Sequence, residues 1–162
     1  MTHKQIATYL NNHLAGSTTI LQLLAQLETT HTGTDLAQFF ATLRADVLAE
    51  RRELESLMQR LNITENPLRQ AAAWLAEKLA QLKLRLDSPA DEALRLLEAL
   101  ELVAVGIEGK RALWRSLAVA SKAVPELQGV DYEHLLQRSE EQQRRVEAVR
   151  LEAAKAAFVA GS

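Results

Sequence analysis

With 162 residues and a net charge of −2, the chain can bury a sizeable core and has no strong field to attract nucleic acid or an anionic membrane. It contains no cysteine, which excludes disulfides, thiolate metal sites and thiol catalysis and suits a reducing, cytoplasmic setting. Aromatic residues make up only 4% of the chain, which favours helices over sheets. No secretory leader and no membrane span is visible. We therefore expect one cytoplasmic, all-α domain over residues 1–162.

The first two predicted helices are long and adjacent. In residues 4–28, apolar side chains recur every three or four positions, with Gly16 near the middle. A short break follows, and residues 35–61 form the second helix, which Asp35 and Gln38 would open as a capping box. The short connection predicts that the two helices are antiparallel neighbours.

The third predicted helix differs from the others. It covers about residues 67–86, begins after an Asn-Pro pair, and has a narrower apolar stripe. We therefore expect it to lie across the surface of the core. The fourth helix, residues 89–120, is the most apolar and contains Gly106 and Gly109, and Asp131 is expected to cap the last helix, residues 131–158.

Two architectures follow from this order of helices. If the helix at 67–86 returns the chain to the first end of the bundle, the four long helices adopt ferritin-like connectivity, with a crossover helix between the second and third core helices. The alternative is a plain five-helix up-and-down bundle. The narrow apolar stripe of the helix at 67–86 favours the crossover.

Four stretches of unusual sequence occur in a consistent order along the chain: Tyr9–Ser17, Ala73–Lys78, Gly106–Trp114 and Val146–Ala154. Together they resemble a bacterial group of small ferritin-like proteins of unknown function. The resemblance covers nearly the whole chain. It implies a ferritin-like fold but no activity.

The ligands of a ferritin-like di-iron centre are incomplete in this sequence. Such centres take a Glu from each of two helices and a Glu-x-x-His from each of the other two. The second helix offers Glu50 and Glu53 without a histidine, the first helix offers no carboxylate at mid-length, and the last helix offers no Glu-x-x-His. We expect no cofactor; if iron or manganese binds at all, the candidate ligands are Glu50, Glu53 and Glu101.

Glu50 interrupts an otherwise apolar seam in the second helix, formed by Leu36, Phe40, Leu43, Val47, Glu50, Leu54, Leu57 and Leu61. Because an unpaired buried carboxylate is costly, Glu50 needs a partner. Lys110 has the buried phase of its helix, and Gln142 and Ser17 are the polar interruptions of two further seams. We predict that Lys110 occupies the former metal space and neutralises Glu50, with Gln142 and Ser17 completing the hydrogen bonds. The alternative is that a seam is out of phase by one residue, so that these groups face water.

The leading functional expectation is a non-enzymatic structural or interaction module that forms a homodimer or binds another protein. One alternative is an oxidoreductase or iron-handling protein with a degenerate carboxylate site. Another is a small-molecule binder with a mid-bundle cavity beside Gly16, Gly106 and Gly109. No phosphate loop and no nucleophile–base arrangement is present.

Overall fold

A computed structural model describes residues 3–66, 77 and 89–159. Four long helices occupy these ranges: α1 (His3–Thr30), α2 (Asp35–Arg60), α3 (Pro89–Ala120) and α4 (Tyr132–Phe158), with a short 3-10 helix at Pro125–Leu127. The described ranges contain no strand, which confirms the all-α prediction of four long helices. The helix predicted at 67–86 falls outside the described residues except for Glu77. No described helix combines the length and apolarity needed to cross a membrane.

Contacts along α1 show that it runs antiparallel to both α2 and α3. Near its end, Glu28 pairs with Arg44 of α2 at 2.8 Å, and nearer its start, Ser17 accepts a hydrogen bond from Arg51 at 3.0 Å. In the same way, Tyr9 donates to the hydroxyl of Ser116 in α3 at 3.2 Å, whereas Ile20 packs against Gly106. As the residue number rises in α1, it falls in each partner helix.

Contacts along α4 show that it too runs antiparallel to α2 and α3. Arg111 of α3 pairs with Glu140 at 3.1 Å, and Glu101 pairs with Arg150 at 3.5 Å. On the α2 side, Arg145 pairs with Asp46 at 2.8 Å, while Arg60 reaches the Gln128 carbonyl just before α4. Therefore α2 and α3 run in the same direction, and the end of α2 and the start of α3 lie at opposite ends of the bundle.

The apolar core is divided into two clusters along the bundle. One contains Leu14, Leu54, Leu113 and Leu135 among its buried members, and the other contains Ile20, Val47, Ile107 and Val146. In each helix the two clusters are separated by polar residues at the same level, namely Ser17, Glu50, Lys110, and Ser139 with Gln142. We call this level the polar layer.

The helix starts differ in how their backbone N–H groups are satisfied. Asp131 caps α4 as predicted, because its carboxylate accepts a hydrogen bond from the N–H of His134 at 3.0 Å. The capping box predicted at Asp35 and Gln38 is wrong. The preceding turn, with Gly33 at φ +83°, makes Thr34 the N-cap residue, and Gln38 donates to Thr42 at 3.4 Å instead.

Candidate functional site

Glu50 lies in the middle of α2, and its side chain is only 1% exposed. Val47 and Leu54, one turn to either side, belong to the two apolar clusters. A carboxylate in such surroundings is stable in its charged form only when it is paired and hydrogen-bonded. The sequence therefore requires partners for Glu50, and these come from two other helices.

Three side chains close a ring of contacts in the polar layer. The ammonium of Lys110, on α3, contacts Oε2 of Glu50 and donates a hydrogen bond to Oε1 of Gln142 at 2.8 Å. The Gln142 amide, on α4, donates from Nε2 to Oε1 of Glu50 at 2.8 Å. The structure thus brings Glu50, Lys110 and Gln142 together from three helices.

Glutamine suits its position in this ring for a chemical reason. A lysine ammonium can only donate hydrogen bonds, and a carboxylate can only accept them. The Gln142 amide does both, so one side chain satisfies both charged neighbours. Gln142 is itself 1% exposed, which leaves little water to take over either role.

Lys110 is nearly enclosed, with 14% of its side chain exposed. Burial lowers the pKa of Lys110, and the neighbouring carboxylate of Glu50 opposes that shift. The ammonium of Lys110 therefore depends on Glu50 to keep its charge.

A second set of ion pairs extends the ring towards the surface between α2 and α4. Asp46 accepts from Arg138 at 3.2 Å and from Arg145 at 2.8 Å. The Nε of Arg138 also lies 3.9 Å from Oε1 of Glu50. These ion pairs were not predicted from the sequence. Helical spacing could have found them, because each of the three residues lies three or four positions from Glu50 or Gln142 and so on the same helix face.

The structure corrects the prediction that Ser17 completes the hydrogen bonds of Glu50. The Ser17 hydroxyl donates to the Leu14 carbonyl at 2.7 Å and accepts from Arg51 at 3.0 Å. Arg51 also contacts Thr18 and donates to Glu55 at 3.0 Å. These contacts of Arg51 join α2 to α1, and they are not predicted by the sequence pattern.

The alternative set of metal ligands is not brought together. Glu53 and Glu101 are exposed, and Glu101 pairs with Arg150. Within residues 3–66, 77 and 89–159, no group of three or more His, Asp or Glu side chains could hold a metal ion. The Lys110 ammonium contacts Oε2 of Glu50, and so lies where a metal ion bound to this carboxylate would lie.

A cavity of about 300 Å³ lies between α1, α2 and α3, beside the polar layer. Most of its lining is apolar, and the exposed residues Asn12 and Val105 are part of it. Two of its three glycines open directly onto free space, since a Cβ built on Gly16 or Gly109 would meet no atom within 4 Å. A Cβ on Gly106 would lie 2.7 Å from Ile20. Gly16 and Gly109 therefore leave space that larger residues would fill, whereas Gly106 lets Ile20 pack against the backbone of α3.

A few polar groups line this otherwise apolar cavity. Glu50 and Lys110 contribute from the polar layer, and Trp114 and His13 lie further along. Trp114 is 1% exposed, and its indole N–H has no acceptor in the part of the chain that the structure describes. Burial lowers the pKa of His13, which favours the neutral imidazole.

No protein-family model matches the chain, and comparison with curated proteins and with solved structures gave no match.

Proposed function

We propose that the chain is a non-enzymatic, ferritin-like helical bundle that binds a small, mainly apolar molecule in the cavity between α1, α2 and α3. The observation that carries this proposal is the cavity itself. Its volume of about 300 Å³ is at the lower end of small-molecule sites, which are mostly apolar with a few placed polar groups.

The directions of the helices support ferritin-like connectivity. Because α2 and α3 run in the same direction, the chain between them must return along the length of the bundle. With 26 residues, α2 is about 39 Å long at 1.5 Å per residue. The predicted helix at 67–86 would span about 30 Å by the same measure, so it is suited to serve as the crossover.

The donor set in the polar layer supports a bundle without a di-iron centre. Lys110 and Gln142 face Glu50 where a ferritin-like centre would need further carboxylates and histidines. An oxidoreductase or iron-handling role would require those ligands, so we do not propose it. The structural or interaction role, with a homodimer as the assembly, stays a prediction; the cavity leads us to prefer ligand binding.

Binding can be tested with indane, a neutral bicyclic hydrocarbon, as the probe. Titration calorimetry on the whole chain should show saturable binding, and the melting temperature should rise with indane concentration. Gly109→Leu, which extends a side chain into the cavity, should abolish both effects. Ala112→Leu adds the same side chain at an exposed position of α3 and serves as the matched control.

Two outcomes would contradict the proposal. One is that indane neither binds the native chain nor raises its melting temperature. The other is that Gly109→Leu, shown to be folded by circular dichroism, binds indane as tightly as Ala112→Leu does. The second result would place the hydrocarbon elsewhere on the surface.

A further inference from the structure

We propose that two copies of this chain associate through the outer face of α3, with the two α3 helices antiparallel across a twofold axis. Three exposed apolar side chains on this face, and the order of the charges beside them, point to this pairing. The pairing goes beyond the proposed function, because it needs no ligand in the cavity.

The apolar part of this face is a stripe of three residues that are seven positions apart: Val105, Ala112 and Val119. Val105 and Val119 are each 68% exposed, and Ala112 is exposed as well. Side chains spaced by seven residues lie almost in line along a helix, so the three face solvent together. Single exposed valines are common on protein surfaces, so the stripe alone does not identify a partner.

The charges beside the stripe identify the partner, because they change sign at its middle. Glu101, Glu108, Arg115 and Lys122 also recur every seven residues, and all four are exposed. Lys122 lies in the turn that follows α3. This flank of the stripe is therefore acidic towards the start of α3 and basic towards its end, and the sign changes beside Ala112.

Two copies of α3 match this order of charges only when they are antiparallel. With the twofold axis beside Ala112, Glu108 of each copy faces the partner's Arg115, and Glu101 faces the partner's Lys122. A parallel pair would place each of these charges beside its own copy, and like charges across an interface are unfavourable. The face thus complements itself, so a second copy of this chain satisfies it without any other surface.

The inner pair of charges is available for such contacts. Arg115 takes part in no ion pair within the described ranges. Glu108 is 54% exposed and pairs with Arg111 of its own helix at 3.3 Å. Arg111 also pairs with Glu140, so it keeps a partner when Glu108 turns to the other copy. Exposed ion pairs add little energy but set orientation, and the apolar stripe is narrow, so the dimer should be weak and reversible.

Sedimentation velocity on the whole chain tests for self-association. Between about 10 µM and about 500 µM, the native chain should shift reversibly from monomer to dimer, as a small interface predicts. Raising the NaCl concentration from about 0.05 M to about 0.5 M should weaken the dimer several-fold, because salt screens exposed charges. A chain that stays monomeric over the whole concentration range would overturn the proposal.

Charge reversal tests which face is used. Arg115→Glu and Glu108→Arg should each weaken the dimer at least about tenfold, because like charges then meet on both sides of the axis. An equimolar mixture of these two variants should form a heterodimer about as tight as the native dimer, since every facing pair is again of opposite sign. The double variant should dimerise for the same reason. Arg52→Glu, at an exposed position of α2, is the matched control.

Two results of the charge reversals would overturn the proposed face, once circular dichroism shows that the variants are folded. One is that Arg52→Glu weakens the dimer as much as Arg115→Glu does. The other is that neither the mixture nor the double variant restores dimerisation. Titration with indane decides the proposed function separately, and Ala112→Leu stays a valid control there because Ala112 does not line the cavity.

Discussion

The ammonium of Lys110 meets the carboxylate of Glu50 at the level where the apolar core of the bundle divides in two. Ion pairs this deep contribute little net stability, because removing both charges from water offsets most of their attraction. Breaking such a pair is another matter, since the remaining charge is left without compensation. The pair therefore makes the stability of the bundle sensitive to single substitutions in the polar layer.

Lys110→Met should lower the free energy of unfolding by about 3–5 kcal/mol, because it strands Glu50 in the interior. Adding Glu50→Leu to that variant should restore most of the loss, since an apolar pair of similar size needs no compensation. Urea unfolding of the native chain, Lys110→Met, Glu50→Leu and the double variant measures the coupling energy between the two residues. Lys155→Met, at an exposed position of α4, is the matched control and should change stability by less than about 0.5 kcal/mol. Strictly additive effects of the two core substitutions would contradict the pairing.

Gln142→Leu should lower the free energy of unfolding by about 2–3 kcal/mol, because it removes hydrogen bonds to two charged groups. Gln137→Leu makes the same change at an exposed position of α4 and should be nearly neutral. Chemical denaturation of both variants gives the comparison. If the two substitutions cost the same, Gln142 does not mediate between Lys110 and Glu50.

Gly109→Ala should stabilise the bundle by up to about 1 kcal/mol, because alanine favours a helix and its methyl group meets no atom within 4 Å. Gly106→Ala has the same intrinsic preference, but its methyl group would lie 2.7 Å from Ile20 and force that side chain to move. We expect Gly106→Ala to be the less stable of the two by at least about 1 kcal/mol. Thermal unfolding measures the difference, and the reverse order would contradict the packing described for Ile20.

The free energy of unfolding should fall as the pH is lowered through and below about 6.5, in part because of His13. Burial lowers the pKa of His13 below its ordinary value of about 6.5. Between these two values the unfolded chain binds a proton that the folded chain does not, so stability rises with pH across this window. His13→Asn should flatten that part of the profile, as urea unfolding at several pH values would show. An unchanged slope in His13→Asn would assign the acid sensitivity to other groups.

Protein purified without chelators should contain iron and manganese well below one ion per chain when measured by elemental mass spectrometry. Adding either ion should leave the melting temperature unchanged, because no ligand set within the described residues surrounds Glu50. The variant Glu50→Gln, which removes the central carboxylate, provides the blank for adventitious metal. Stoichiometric iron that is lost in Glu50→Gln would show that a metal displaces Lys110.

The parts of this fold that could be predicted from the sequence depend on local periodicity. The phase of the apolar seam places Glu50 on the inner face of α2 without any tertiary information, and the same holds for Lys110 and Gln142. The starts of two helices could also be predicted from the sequence, because Pro89 begins α3 and Asp131 caps α4.

What the sequence could not supply depends on distances between helices. Ser17 has the right phase for the polar layer, yet its hydroxyl is engaged by Arg51 and by the carbonyl of Leu14. A long side chain such as Arg51 can reach either solvent or a neighbouring helix, and periodicity does not decide between them. A cavity beside Gly16, Gly106 and Gly109 is one of the alternatives that the sequence suggests. Its volume and its charged wall follow only from how α1, α2 and α3 pack against one another.

The polar layer also fixes the register of α3 against α2 along the axis of the bundle. If α3 slid by two turns against α2, apolar side chains would still meet apolar side chains in both halves, but Lys110 would face an aliphatic side chain and Glu50 would lose its cation. Apolar contacts alone do not distinguish one helix register from another. The ion pair between Glu50 and Lys110 therefore favours a single register of α3 against α2. A chain with leucine at both positions could adopt more than one register.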